Sequence, residues 1–413
     1  MSLRIALLAE FTEYGGTRAY FKMLLALYIE LGYSVTVVCA APVDDDMKSF
    51  LTNLGVEEIV LIYSSDLSGF AVRNKYLNQL TCESKNSFNF ISRLINFINR
   101  MRFYHNTQQQ QVFKEGQILG NYIDRINPDL IVATVGTPGL YLSIGHFHKP
   151  CVYILHSYPT IRGGRVANLL HGLLMAKLIP KTIYFLTVSN YARRQMMSVW
   201  GLRFRRDPVQ VIYGTTGAEL AAQKKVWNNK QFKILMVGHV TQYKNPYMWI
   251  EVAQATLKLI PHAEFLWVGD GDLLEDCRSL VVSLGLEGKI NFVGFSRAVE
   301  NFYKDADLYL HLSAMESLGL SVLDAMKFGL PSVVSNVGGL PEVISNENVG
   351  FVVPQLDVDR CVECILKVYR SERVYSDMSA AAKERYASFF SISKWRENVR
   401  KAHQEALKNY EAR

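Results

Sequence analysis

Two carboxylates stand where a sugar could be bound. Glu316 follows an apolar segment at residues 308–312 and precedes a helical pattern that starts near Leu320. Asp324 lies about one turn inside that pattern, on a face of apolar and small residues. Carboxylates at both positions could accept hydrogen bonds from sugar hydroxyls. The alternative is that Glu316 caps the helix and Asp324 is a solvated helix residue.

A lysine and a glycine follow another apolar segment. Gly238 ends the segment, and Lys244 precedes a helical pattern that begins near Pro246. A fixed lysine near the leaving oxygens of a nucleoside diphosphate would stabilise the charge that develops there. On these residues alone, an ordinary surface lysine is the favoured interpretation of Lys244.

A glycine pair, Gly15 and Gly16, separates the first apolar segment from the first helical pattern. Glycines at such a turn let the backbone approach a phosphate, and the helix N-terminus supplies N–H donors. The signal is weak, because many strand–helix turns use glycine, and it is not the G-x-G-x-x-G dinucleotide motif.

Strand-like apolar segments alternate with helical stretches along the whole chain. The first set lies at residues 4–9, 34–40, 58–62, 130–134, 151–155, 184–188 and 209–212. The second set lies at residues 232–237, 264–268, 290–293, 308–312 and 332–335. Continuous apolar strands that alternate with helices predict parallel sheets covered on both faces. We therefore expect an α/β fold of two tandem, doubly wound, Rossmann-like domains.

A small and polar stretch at residues 214–231 predicts the linker between these domains. The first domain is predicted to span residues 1–212 and to be joined by a C-terminal helix at residues 393–413. The second domain would span residues 213–392.

The composition limits the class of protein. Hydrophobic residues make up 49% of the 413 residues, and the net charge is +7. This is ordinary for a soluble globular protein, and the charge suits an anionic ligand or an anionic membrane surface. Zinc-finger spacing and long basic runs are missing, which argues against nucleic acid as a partner. Of the six cysteines only Cys361 and Cys364 are close, so we expect free thiols in a reducing cytoplasm.

Membrane and targeting signals are weak. The apolar N-terminus is broken by Glu10 and Glu13, unlike a signal peptide, and the uncharged residues 130–147 are interrupted by Gly136-Thr-Pro-Gly139. Residues 88–105 place apolar side chains on one helical face with basic residues interspersed. This pattern fits a helix at a membrane surface or acceptor site, but an ordinary core-facing helix is favoured. We expect a cytoplasmic protein, either free or peripheral at the inner face of the plasma membrane.

Four D-x-D patterns raise the question of a metal. They are Asp44–Asp46, Asp270–Asp272, Asp305–Asp307 and Asp357–Asp359. Helix capping is a sufficient explanation for Asp270, Asp272 and Asp357, and Asp307 begins a strand. We therefore predict no metal site.

The stretch Ala306–Glu342, preceded in order by Val268-Gly-Asp-Gly271 and Phe292-Val-Gly294, resembles glycosyltransferase family 4. These are retaining enzymes of the GT-B fold, in which two domains face a cleft, and the resemblance covers nearly the whole chain. It implies transfer of a hexose-type sugar from a nucleoside-diphosphate donor, with a UDP-sugar expected, to a glycan or lipid-linked acceptor. Cell-surface polysaccharide synthesis would be the setting, and no cofactor or metal beyond the donor would be needed.

The resemblance also implies roles for individual residues. Glu316 would bind the donor-sugar hydroxyls and Asp324 the ribose, while Lys244 would contact the diphosphate. His156 matches a histidine near the donor sugar, and Val188-Ser-Asn190 fits the first-domain pattern. The other donor-binding positions would be Gly15, Gly16, Gly238, His239, Leu318, Gly319 and Leu320.

Two positions depart from the family pattern. Asp324 stands where the family has the longer glutamate, and His239 stands where arginine is usual. These departures keep open a protein that binds nucleotide sugars but is catalytically impaired. A nucleotide-sugar epimerase or a phosphorylase of related architecture is a further alternative, against which the Glu316 and Asp324 pair argues.

Overall fold

The structure is a computed structural model of the chain. It describes residues 2–9, 16–39, 43–54, 56, 58–61, 119–134, 148–157, 172–173, 179, 182–202, 209–217, 227 and 231–412. Gly15, the segment 88–105 and most of the predicted linker lie outside these residues, so the predictions made for them remain predictions.

The first sheet has seven strands in the order β3-β2-β1-β4-β5-β6-β7. The strands are β1 Arg4–Ala9, β2 Ser34–Cys39, β3 Glu58–Leu61, β4 Leu130–Ala133, β5 Cys151–Leu155, β6 Ile183–Thr187 and β7 Val209–Val211. β1 pairs in parallel with β2 and β4, and the strands at the centre of the sheet are buried along almost their full length. This burial explains why they read as continuous apolar segments and not as alternating ones.

Helices follow the first strands of this sheet. They are Gly16–Glu30 and Asp45–Asn53. Asp44 caps the second of these by accepting a hydrogen bond from the backbone N–H of Met47 at 2.9 Å. Asp44 and Asp46 also hold the buried guanidinium of Arg18. The first D-x-D pattern is therefore occupied by an arginine of the chain itself.

The second sheet has six strands in the order β10-β9-β8-β11-β12-β13, and each pair along that order is parallel. The strands are β8 Lys233–Val237, β9 Glu264–Val268, β10 Ile290–Gly294, β11 Leu308–His311, β12 Ser332–Ser335 and β13 Gly350–Val353. The helices of this part are Pro246–Leu257, Leu274–Ser283, Val299–Asp305, Leu320–Lys327, Leu340–Ile344, Val358–Tyr369 and Glu372–Arg385. β13 was not predicted from the sequence, whereas the five preceding strands were.

The chain divides into two compact units. The first comprises Met1–Leu186, Met196–Gln210 and Lys401–Arg413, and the second comprises Thr187–Gln195 and Val211–Arg400. The short segment Thr187–Gln195, assigned to the first domain on sequence grounds, thus groups with the second unit. Each unit is an α/β structure built on a parallel sheet, as predicted.

The end of the C-terminal helix, Ile392–Glu411, packs within the first unit. The Tyr28 hydroxyl lies 2.7 Å from Nε2 of the buried His403, and the Tyr184 hydroxyl donates to Glu405 at 2.8 Å. Among the described residues, no helix is both long enough and apolar enough to span a bilayer.

Candidate functional site

Lys244 and Glu316 form an ion pair in the second unit, after the carboxyl ends of β8 and β11. The Lys244 Nζ donates to Glu316 Oε2 at 2.6 Å, and the two side chains are only 12% and 17% exposed. Burial alone would raise the pKa of Glu316, but the charge of Lys244 and the hydrogen bond from His311 outweigh it and lower the pKa to about 2. Glu316 is therefore a carboxylate at any physiological pH.

The loop that carries Lys244 is held against the loop that carries Glu316. Lys244 ends the 3₁₀ turn Gln242–Lys244, and Asn245 with a left-handed φ of 59° leads into the helix that starts at Pro246. The backbone N–H of Ala314 donates to the Tyr243 carbonyl at 2.7 Å. The backbone thus brings together two side chains that lie 72 positions apart in the chain.

A glycine pair, Gly338 and Gly339, packs against the backbone of the Glu316 loop. Gly338 has a left-handed φ of 57°, and a Cβ there would overlap the carbonyl oxygen of Glu316. The backbone N–H of Gly339 donates to that same oxygen at 3.3 Å. The Gly-Gly of the Ala306–Glu342 stretch is therefore required by close backbone packing against the loop that presents Glu316.

The Gly238 loop is supported in a similar way by the motif Val268-Gly-Asp-Gly271. The backbone N–H groups of Gly238 and Val240 donate to the Val268 and Asp270 carbonyls at 3.0 and 2.9 Å. Gly269 has a φ of 149°, and a Cβ there would overlap the Gly238 carbonyl oxygen. The motif thus acts on the site through the backbone, by holding the loop between β8 and Lys244.

The helix Leu320–Lys327 begins immediately beyond Glu316, with Gly319 as its N-cap residue. The first N–H groups of a helix have no partner inside the helix and can bind an anion. Leu318 is buried, so the backbone at this point is fixed by packing. The structure therefore brings Leu318, Gly319 and Leu320 to the same loop as Glu316.

Asp324 lies on this helix and is 30% exposed. Its carboxylate is 3.5 Å from the buried Nζ of Lys327, which is also 3.7 Å from Glu300. Burial raises the pKa of Asp324 to about 6, although Lys327 and a hydrogen bond with Thr216 oppose the change. Asp324 is therefore a partly buried acid with partners of its own, which the solvated-residue alternative did not anticipate.

Sequence reasoning missed two polar residues behind Glu316. His311 is fully buried, with its Nε2 3.2 Å from Glu316 Oε2 and 2.9 Å from the Ser313 hydroxyl. Burial and the charge of Lys244 lower the pKa of His311, against the opposite effect of Glu316. The available signal was a histidine at the end of an otherwise apolar strand, where a buried polar group needs a partner.

In the first unit, His156 follows β5 and lies against the N-terminal helix. Its ring is 4.4 Å from the Tyr20 ring, centroid to centroid, in an edge-to-face arrangement. Its buried Nε2 has no hydrogen-bond partner among the residues that the structure describes. Burial lowers the pKa of His156 to about 4, so the ring is neutral. The contact between His156 and a donor sugar, expected from the family resemblance, remains a prediction.

The remaining predicted residues are simpler to place. Gly16 begins the helix Gly16–Glu30 and is exposed, while Gly15 lies outside the described residues. His239 is exposed, and its carbonyl accepts a hydrogen bond from the Thr241 N–H at 3.0 Å.

Several of the D-x-D residues have structural roles, though not all of the predicted ones. Asp357 caps its helix by accepting from the Arg360 N–H at 2.9 Å, as expected. Asp270 and Asp272 do not cap the next helix, whose N-cap residue is Leu273; Asp270 instead accepts from the Gly271 N–H at 2.8 Å. The described ranges hold no group of three His, Cys, Asp or Glu side chains that could bind a metal ion.

One protein-family model matches the second part of the chain. The family model described as glycosyl transferases group 1 matches residues 218–385, which include Lys244, Glu316 and Asp324. The matched segment is less than half of the chain.

Two relatives whose names give an activity align with comparable lengths of the chain. One is the Escherichia coli UDP-Gal:alpha-D-GlcNAc-diphosphoundecaprenol alpha-1,3-galactosyltransferase, 30% identical over 40% of this chain and 43% of the relative. Another is the Bacillus anthracis N-acetyl-alpha-D-glucosaminyl L-malate synthase, 29% identical over 44% of this chain and 45% of the relative. The alignments thus span under half the length of either relative.

Solved structures match the fold over nearly the full length. HepE from Anabaena, crystallised with UDP-glucose, superimposes with a TM-score of 0.70 over 98% of this chain and 100% of its own, at 16% sequence identity. A glycosyltransferase from Rickettsia africae gives a TM-score of 0.69 over 99% of both chains, also at 16% identity. The chain has the two-unit α/β fold of these structures, the GT-B class expected from its sequence.

Proposed function

We propose that this protein is a retaining glycosyltransferase that moves a hexose-type sugar from a UDP-sugar to a glycan or lipid-linked acceptor. The observation that carries the proposal is the Lys244–Glu316 pair, 2.6 Å apart beside the start of the helix Leu320–Lys327. It lies at the carboxyl ends of parallel strands, where α/β proteins bind their ligands. It also lies within the segment that matches the glycosyl transferases group 1 model.

The diphosphate would bind to Lys244 and to the first N–H groups of the helix that follows Gly319. Lys244 would carry the charge that develops on the leaving phosphate, and the helix N-terminus would supply fixed dipoles. These two elements would offset much of the diphosphate charge without a metal ion. We therefore propose metal-independent transfer.

Glu316 and Asp324 would recognise the two sugar rings of the donor. Lys244 and His311 both contact Oε2 of Glu316, which leaves Oε1 to accept from a hydroxyl of the transferred sugar. Asp324 would accept from a ribose hydroxyl, with Thr216 next to its carboxylate. His156, whose Nε2 has no hydrogen-bond partner among the described residues, is proposed as a further sugar-binding residue.

The choice of UDP and of the acceptor is supported by the relatives. HepE was crystallised with UDP-glucose, and the E. coli relative is named for a UDP-galactose donor and a diphosphoundecaprenol-linked acceptor. An acceptor of this kind would be used in the assembly of cell-surface polysaccharide. The protein would then act in the cytoplasm or at the inner face of the membrane.

The test is a panel of UDP- and GDP-sugars with the purified chain, read by thermal shift and by release of the nucleotide, with and without EDTA. A bound donor at about 100 times its Kd should stabilise the protein by about 2.7 kcal/mol. Lys244→Ala and Glu316→Ala should abolish most of the donor turnover, whereas Lys258→Ala and Glu251→Ala, at exposed positions of the same unit, should not. Wild-type turnover in both site variants would overturn the proposal, and loss of turnover in EDTA would overturn its metal-independent form.

A further inference from the structure

A chain of buried polar side chains leads from β11 to Glu316. It consists of Tyr309, His311 and Ser313, which occupy alternate positions along and just beyond β11. The Tyr309 hydroxyl is 3.5 Å from His311 Nδ1, and His311 Nε2 is 3.2 Å from Glu316 Oε2. His311 and Ser313 are fully buried, so solvent does not compete for these contacts.

The protonation of His311 follows from its neighbours. A carboxylate can only accept hydrogen bonds, so the nitrogen that faces Glu316 must carry a hydrogen. The buried ring is neutral, since both burial and the charge of Lys244 oppose its protonation. A neutral imidazole has one N–H, so Nδ1 carries no hydrogen. The Tyr309 hydroxyl, 3.5 Å from Nδ1, donates to the Val237 carbonyl at 3.2 Å. Ser313 Oγ, 2.9 Å from Nε2, then shares the same hydrogen as a second acceptor.

Lys244 and His311 thus approach the same oxygen of Glu316, but only Lys244 would also bind the diphosphate in the proposed reaction. Lys244 would turn to the diphosphate when the donor binds. His311 lies in a strand and would not contact the diphosphate, so its contact with Glu316 would remain.

We propose that His311 is a positioning residue that donates its Nε2–H to Glu316 and keeps Oε1 of that carboxylate aimed at the donor sugar once Lys244 contacts the diphosphate. The contact between Glu316 and a donor sugar rests on the proposed function. The hydrogen bond between His311 and Glu316 does not depend on that function. It predicts that His311 contributes to the binding of UDP-sugar and not to the binding of UDP, because UDP lacks the sugar that Glu316 holds.

Two substitutions separate this role from a general structural one. The side-chain nitrogen of glutamine reaches about as far as Nε2 of histidine, whereas that of asparagine reaches only as far as Nδ1. His311→Gln should therefore keep the UDP-sugar KM within a few-fold of wild type. His311→Asn should raise it roughly tenfold or more, the usual effect of losing a hydrogen bond to a charged group, with a smaller change in kcat. The Kd for UDP should stay within twofold in both variants. Equal KM values for the two variants, or a parallel loss of UDP affinity, would overturn the proposal.

A measurement on the free protein keeps this inference separate from the proposed function. In a long-range ¹H–¹⁵N spectrum of untagged protein labelled with ¹⁵N-histidine, the signals lost in His311→Gln identify His311. They should show the neutral ring with its hydrogen on Nε2, and Glu316→Gln should shift them. A hydrogen on Nδ1, or no response to Glu316→Gln, would contradict the assignment even if the protein bound no nucleotide sugar at all. If the spectra agree but no UDP-sugar binds to the wild type, the proposed function fails and the contact to the sugar fails with it.

Discussion

The Lys244 Nζ lies 2.6 Å from Glu316 Oε2, so each residue neutralises the other. A diphosphate that binds to Lys244 must therefore compete with Glu316. Binding of the donor would exchange one internal ion pair for two external contacts, one with the diphosphate and one with the sugar. Binding of the diphosphate and binding of the sugar should therefore depend on each other.

Glu316→Gln should separate the two halves. Without the carboxylate, Lys244 is free to meet the diphosphate, so the affinity for UDP should rise by a few-fold. The affinity for UDP-sugar should fall by roughly tenfold, because a charged acceptor for the sugar hydroxyls is lost. Isothermal titration calorimetry with the two ligands measures both constants. Glu251→Gln, an exposed acid of the same unit, serves as the control, and a parallel fall of both affinities would contradict the exchange.

Lys244→Met should destabilise the second unit. It leaves a largely buried carboxylate without its counter-ion, which we expect to lower the free energy of unfolding at pH 7 by about 2–3 kcal/mol. Glu316→Gln should cost less in the Lys244→Met background than in the wild type, because the two residues act as a pair. Urea denaturation of the wild type, the two single variants and the double variant measures the coupling. Additive losses would show that the pair does not interact in solution.

The stabilisation supplied by the Lys244–Glu316 pair should depend on pH in the acid range. The pKa of Glu316 in the folded protein, about 2, is below its ordinary value of 4.5, so the stabilisation is complete above about pH 4.5. It is lost as the pH falls towards 2. The difference in stability between wild type and Lys244→Met should therefore shrink as the pH falls from 4.5 to 2. A difference that stays constant over this range would assign it to packing and not to charge.

Ionisation of Asp324 has the opposite effect on stability from ionisation of Glu316. Its pKa in the folded protein, about 6, is above the ordinary 3.8, so its ionisation opposes folding. The cost is absent below about pH 3.8 and complete above about pH 6. Asp324→Asn should therefore raise the midpoint of thermal unfolding at pH 7 and leave it unchanged near pH 3.8. The same variant should lose affinity for UDP at pH 7, and the fall of wild-type UDP affinity below pH 6 should become flatter. A variant that loses both stability and affinity would contradict the assignment.

Gly338→Ala tests the backbone support of Glu316. The added Cβ would overlap the Glu316 carbonyl oxygen, so we expect loss of donor binding together with a loss of stability of several kcal/mol. Gly285→Ala is a matched control, since Gly285 has a similar left-handed φ, 64° against 57°, but no atom within 4 Å of the added Cβ. Gly285→Ala should cost only about 1–2 kcal/mol, the conformational term. Equal losses in the two variants would show that the contact with Glu316 is not the cause.

Much of the fold could be predicted because buried parallel strands are continuous apolar segments. β1, β5, β9 and β12 have the predicted bounds, and the other predicted strands differ by one residue at one end or, for β6, at both ends. β13, Gly350–Val353, was missed because it is a four-residue edge strand that opens with a glycine after a polar loop. An edge position and a glycine both weaken the sequence signal for a strand.

The candidate site was less accessible to sequence reasoning. Glu316 and Lys244 could be singled out because each follows a strand and precedes a helix. Their direct contact could not, since tertiary packing sets it between loops far apart in the chain. His311 was overlooked inside an apolar segment, where its side chain turns towards Glu316 and not into the core. Asp270 and Asp272 were explained as helix caps, but the helix begins after Leu273, and a shift of this size at a helix end is common.

The most direct test of the central claim is a crystal structure of the protein with a non-hydrolysable UDP-sugar. In that structure Lys244 should have left Glu316 for the diphosphate, and the phosphates should lie against the start of the helix Leu320–Lys327. Oε1 of Glu316 should accept a hydrogen bond from a hydroxyl of the sugar. A nucleotide bound elsewhere, or a Lys244–Glu316 pair that stays intact beside the bound donor, would contradict it.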